Sequence, residues 1–102
     1  EAQKVMKRWM YAHFDHPYPT ASDREQLAEA AGINPDQVKY FFINTRSRFW
    51  KPLVTKLAES SASDDHRAQA LRSAGQAAAS TLTPPTAQQV LAHLQQAVPP
   101  SS

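Results

Sequence analysis

Asn44 and Arg48 stand four residues apart, one helical turn, in a stretch with no glycine and no proline between Asp36 and Lys51. Tyr40, Ile43, Asn44, Ser47 and Lys51 fall at i, i+3, i+4, i+7 and i+11, so they share one face of a helix. A merely solvated face has no reason to carry Ile and Tyr beside Asn. An amide, a guanidinium and apolar groups together suit the edges of base pairs in a major groove. There Asn can read adenine through two hydrogen bonds and Arg can read guanine. The chemistry these residues offer is hydrogen-bonded recognition and not bond making.

Other constellations offer less. His13 and His16 flank Asp15, but Pro17 ends the helix there, and neither a third nor a fourth metal ligand is in view. Asp64, Asp65 and His66 lie in a Ser-rich stretch without a rigid scaffold, so no hydrolytic site is read there and no enzyme is expected. The chain has no cysteine, which removes disulfides, thiolate zinc sites and cysteine nucleophiles together. Its two glycines cannot build a phosphate-cradling loop. No apolar run reaches the roughly 18–20 residues of a membrane span. No secretory leader is visible, and the start at Glu1 reads as a fragment of a longer protein.

The reading face needs a scaffold, and composition places it. All nine aromatic residues lie between Trp9 and Trp50. Residues 1–57 carry nine Lys/Arg against six Asp/Glu, a net of +3; residues 58–102 carry two against three, a net of −1. Between Asn34 and Lys56 five bases (Lys39, Arg46, Arg48, Lys51, Lys56) meet one acid, Asp36. Bases interleaved with aromatics along one helix are an electrostatic footprint of nucleic-acid binding.

Three helices are predicted in residues 1–57. The first runs from about Ala2 to Phe14 on Val5, Met6, Trp9 and Met10, and Pro17 and Pro19 end it. The second opens on a capping box, Ser22 to Glu25, and ends before Gly32. The third starts on Asn34 as N-cap, with Pro35 at its first position and Gln37 closing a second box. Two helices joined by a short Gly-containing turn make a helix-turn-helix. The third helix buries Val38, Phe41, Phe42, Thr45 and Phe49 on the stripe opposite the reading face, and it should stop or kink at Pro52. The core is read as Met6, Trp9, Met10, Leu27, Ile33, Val38, Phe41, Phe42 and Phe49, with Leu53, Val54 and Leu57 as a short return. The fold class is all-α.

Residues 58–82 read as an Ala/Ser-rich linker, too poor in large apolar groups to offset their own ordering entropy, although residues 67–79 have helical propensity with no apolar face beyond Ala and Leu71. Residues 83–102 read as a possible short amphipathic helix with Ala87, Val90, Leu91, Leu94 and Val98 on one face, stopped by Pro99 and Pro100. The tail as a whole is expected to be largely flexible, since an isolated helix of that length is marginal in water.

The segment Phe41 to Pro52 (F-F-I-N-T-R-S-R-F-W-K-P) resembles the recognition helix of the three-residue-loop-extension homeodomains. The F-W-K-P ending and the loop His13 to Pro19 (H-F-D-H-P-Y-P) are closest to the BELL-like group of plants and green algae, with Phe14, Asp15 and His16 as the extra residues. The resemblance covers about residues 4–57. It implies a three-helix homeodomain that binds double-stranded DNA in a sequence-specific way, as part of a nuclear transcription factor. It implies that Asn44 grips adenine, that Arg48 reads guanine in a TGA-type core, and that Ile43, Ser47 and Tyr40 face the bases. Arg46, Tyr18, Lys51 and Trp50 match contacts at or near the phosphates. A KNOX-type homeodomain partner is implied for the full protein; no cofactor, metal, membrane or small-molecule substrate is.

The chain departs from the pattern at four places. Phe41 stands for tryptophan, Thr45 for alanine and Ser47 for a larger group, and the basic arm that enters the minor groove is not among these residues. Those departures point to the rival reading: a divergent homeodomain that works mainly as a protein-docking module, with DNA specificity supplied by its partner.

Overall fold

In the computed structural model, which describes residues 2–97, the backbone is helical with short connections. Helices α1 (Ala2–Ala12), α2 (Ala21–Ala31) and α3 (Pro35–Thr45) come first. A π-helical turn, Arg46–Trp50, joins α3 to α4 (Lys51–Leu57). Then follow α5 (Asp64–Thr81) and α6 (Ala87–Ala97).

Each early helix is bounded by its own side chains. Helix α1 stops two residues short of the predicted Phe14. The His13 amide still bonds to the Trp9 carbonyl (3.0 Å), and the imidazole stacks on the Trp9 indole at 3.9 Å between centroids. The predicted Ser22–Glu25 box is not the one formed. Thr20 is the N-cap of α2: its hydroxyl accepts from the Asp23 amide (3.1 Å), and the Asp23 carboxylate accepts from the Thr20 amide (3.0 Å). Thr20 follows Pro19 in extended conformation, so Ser22 and Glu25 already lie inside the helix. The second box is as read: Asn34 Oδ1 accepts from the Asp36 amide (2.8 Å), and Gln37 Oε1 accepts from the Asn34 amide (3.0 Å). Gly32 closes α2 at φ 71°, where only glycine sits without strain.

The third helix does not stop at Pro52. Its hydrogen bonding widens over Arg46–Trp50, and the Lys51 amide donates five residues back to the Arg46 carbonyl. Pro52 lacks the N–H that would reach the Arg48 carbonyl, and its ring would crowd that carbonyl in a regular helix. One wider turn accommodates the ring and lets the helix run on into α4.

Met6, Met10, Leu27, Val38 and Phe42 are buried as read, while Trp9, Ile33, Phe41 and Phe49 are partly buried against them. The core is larger than the sequence suggests. Tyr11 and Phe14 are buried too, and Leu53 and Leu57 of α4 are buried as the predicted short return. So too are Ala70, Leu71, Ala74 and Ala78 of α5, and Val90 and Leu94 of α6.

The segment read as a linker thus carries a helix, α5, that packs along α1 and against α6. Ser63 caps it, its hydroxyl accepting from the His66 amide (3.2 Å), and Asp64 pairs with Arg67 in its first turn. Apart from Leu71 the buried face of α5 is made of small residues, so it gains most of its burial by close approach and not by side-chain size. Arg72 ties it to the loop after α1 through Asp15 (3.0 Å). Leu82 ends α5 in the left-handed region, at φ 56°. Helix α6 opens on a reciprocal pair, Thr86 with Gln89 (2.9 and 3.1 Å). Its buried Val90 and Leu94 lie on the predicted stripe; Val98, Pro99 and Pro100 are outside the described residues.

Candidate nucleic-acid interface

The reading face is open to solvent. Tyr40, Ile43, Asn44, Ser47, Arg48 and Lys51 are all exposed. Tyr40 at 62% and Ile43 at 41% are among the few exposed large apolar side chains. Exposing such groups in a row between an amide and two bases has a cost, which a partner surface would recover. Among the described residues, no side-chain hydrogen bond or ion pair engages Asn44, Ser47, Arg48 or Lys51. The other stripe of α3 holds the face in place: Val38 and Phe42 are fully buried, and the Phe42 ring meets the Trp9 edge at 5.5 Å.

A second group of bases flanks this face. Arg46 is half-buried, its guanidinium 4.2 Å from the centroid of the Tyr18 ring. Arg46 Nη1 also donates to the Pro17 carbonyl (2.9 Å). The loop between α1 and α2 and the start of the π-helical turn are therefore fastened together, with guanidinium N–H groups left over. Tyr18 is 39% exposed. It lies between His16 (4.6 Å) and Trp50 (5.8 Å).

Beside Tyr18 and Arg46 a notch of about 120 Å³ is bordered by Arg24 and Lys39 as well. Arg24 Nη1 donates to the Pro19 carbonyl (3.0 Å). The sequence reading missed Arg24 as a member of this group. Lys39 was legible, one face-repeat before Arg46 on the same helix, but Arg24 comes from α2 and only the fold brings it across.

Trp50 also has a role within the protein. Its indole N–H donates to the Phe14 carbonyl (2.8 Å), and the ring is half-buried. Phe14, read as an extra loop residue, is fully buried and approaches Phe49 at 6.0 Å. The longer loop is pinned to the π-helical turn at Phe14, Pro17 and Tyr18.

The His13–His16 pair gathers no third ligand: among the described residues no group of three His, Cys, Asp or Glu side chains is placed to hold a metal ion. No helix of the described residues is long and apolar enough to cross a membrane.

Comparison with known proteins agrees with this geometry. The Homeobox KN domain family matches residues 9–48. BEL1-like homeodomain protein 8 of Arabidopsis thaliana is 46% identical over 56 residues, 55% of this chain and 10% of that protein. BEL1-like homeodomain protein 5 of the same plant is 46% identical over 57 residues, 56% of this chain and 13% of that protein. The chain thus spans about a tenth of the length of the curated relatives it matches. No solved structure matches it. Over the segment formed by α1, α2, α3 and the π-helical turn, where the lengthened loop is fastened to a helix that exposes Asn44 and Arg48, the chain is similar to the homeodomains of the BELL-like group.

Proposed function

We propose that this chain binds double-stranded DNA in a sequence-specific way, with the helix formed by α3 and the π-helical turn in the major groove. The protein that contains it then acts as a nuclear regulator of transcription. One observation carries the reading: Asn44 and Arg48 stand one turn apart on an exposed face, free of hydrogen bonds and ion pairs among the described residues. Asn44 takes an adenine edge and Arg48 a guanine edge of a TGA-type core. Ile43, Ser47 and Tyr40 meet the neighbouring base edges. Arg46, Tyr18 and Lys51 hold phosphates and set the register, and Arg24 and Lys39 border the same notch. Trp50 serves from behind, fixing the loop through Phe14. The chain acts by binding and not by catalysis. The relatives are named for BEL1-like homeodomains. The resemblance of the His13–Pro19 loop and the Phe41–Pro52 helix to the BELL-like group supports pairing of the full protein with a KNOX-type homeodomain protein.

The test is fluorescence anisotropy on a TGA-containing duplex and a scrambled one across a salt series, with Asn44→Ala as control. The expected result is a preference for the TGA duplex that the variant loses. Equal weak binding to both duplexes, indifferent to Asn44, would overturn the reading and favour a docking module whose DNA specificity comes from its partner.

A further inference from the structure

The segment between α5 and α6 comes up to the helix that carries Arg48. Pro84, Pro85 and Thr86 form one side of an open cleft of about 400 Å³, and Arg48, Pro52 and Lys56 stand on the other. Arg48 therefore belongs to two surfaces: it is exposed on the reading face, and it lines this cleft.

The wall opposite Arg48 is stiff. Two successive prolines have fixed φ and no side-chain rotamers to speak of. Pro85 is fully buried, and α6 beyond it is anchored by Val90 and Leu94, 0% and 5% exposed. Arg48 itself has no ion pair or side-chain hydrogen bond among the described residues, and an arginine side chain carries many rotamers. A rigid wall across a shared cleft narrows the space open to the guanidinium on that flank, while the flank toward Asn44 stays open to solvent.

We infer that the Pro84–Pro85 segment is a positioning element for Arg48, so that it sharpens sequence preference at the base pair Arg48 reads without touching DNA. This rests on the reading of Arg48 as a base reader. Residues 83–97 contain no Lys, Arg, Asp or Glu. The wall thus neither attracts nor repels phosphate, and its effect falls on preference and not on the salt dependence of binding.

The experiment uses the full chain and a set of duplexes, each with one base pair of the preferred site replaced. Arg48→Ala identifies the pair it reads, as the position whose penalty disappears. The double variant Pro84→Gly/Pro85→Gly should shrink the penalty at that same pair by about two- to tenfold, the range for restoring freedom to one rotamer-rich side chain. The penalty at the pair assigned to Asn44 and the salt slope should stay as they were. Pro84→Gly alone, at an exposed ring, gives the same test in smaller measure should the double variant lose α6. An equal reduction at every base pair, or no reduction at all, overturns the inference. Should Arg48→Ala show no position-specific loss, the base-reading assignment of Arg48 falls first and the inference with it. A position-specific loss in Arg48→Ala with none in the proline variants sinks this inference alone.

Discussion

A Cβ atom on Gly75 would lie 2.1 Å from the carbonyl oxygen of Tyr11 and 2.5 Å from the Cβ of Phe14. Helix α5 therefore crosses the end of α1 at backbone distance, and only a residue without a side chain fits there. Gly75→Ala puts two effects in opposition. Alanine favours a helix over glycine by about 1 kcal/mol. Overpacking costs about 1–3 kcal/mol, and here the obstacle is backbone, which cannot rotate away. The variant should be destabilised, with a lower urea midpoint. A higher midpoint would show that α5 is not seated on α1.

Leu82 raises the opposite expectation. It closes α5 at φ 56°, a conformation in which a leucine Cβ crowds its own carbonyl. Leu82→Gly should remove about 1 kcal/mol of backbone strain, less what the half-buried side chain contributes. Thermal melting of the two proteins compares the terms directly, and a large fall in Tm would make Leu82 a packing residue first.

The ion pair between Arg72 and Asp15 spans the joint between α5 and the loop after α1. The Arg72 side chain is 50% exposed and that of Asp15 25%. A pair in that setting contributes about 0–1 kcal/mol, and salt screens it. A double-mutant cycle with Arg72→Ala and Asp15→Ala should give a coupling in that range that fades at 1 M salt. A coupling that persists unchanged would mean that the pair is less solvated than its exposure indicates.

Arg46 differs from Arg48 in what it touches. It is held by the Pro17 carbonyl and the Tyr18 ring, aimed along the flank of the helix. Arg46→Ala should weaken binding to all duplexes alike and lower the salt slope by about one unit, whereas Arg48→Ala should cost about 1–3 kcal/mol on the preferred site only. The measurement is a salt titration on preferred and scrambled DNA. Loss confined to the preferred site in Arg46→Ala would exchange the two roles.

The cap of α2 should make stability depend on acid. The Thr20 amide and hydroxyl hold the Asp23 carboxyl below its ordinary value of 3.8. A depressed carboxyl contributes stability that is present above the unfolded value and lost as pH falls through the folded one. Asp23→Ala should therefore lower Tm near pH 7, and the gap to the parent should narrow below about pH 4. A gap that stays constant down to pH 2 would mean that the carboxylate charge plays no part in the cap.

The reading face was legible in the chain because helical periodicity is local. Tyr40, Ile43, Asn44, Ser47 and Lys51 share a face through spacing alone, and Val38 and Phe42 oppose them for the same reason. The Asn34–Gln37 box and Gly32 are equally local, each set by bonds within a few residues. The α2 cap was misplaced because two overlapping boxes, from Thr20 and from Ser22, compete within three residues, and the earlier one forms. At Pro52 the sequence left a stop and a kink both open, because it does not show that one turn of the helix widens ahead of it.

What only the tertiary structure decided depends on contacts between distant parts of the chain. Trp50 meets the Phe14 carbonyl, Arg24 joins Arg46 at the notch, and Pro84–Pro85 faces Arg48. Helix α5 is the largest case. Its residues are too small to announce a core, since apolar area per residue is what a sequence shows. Burial also depends on how closely two backbones approach, and the alanines and Gly75 of α5 gain theirs from α1, more than fifty residues away in the chain.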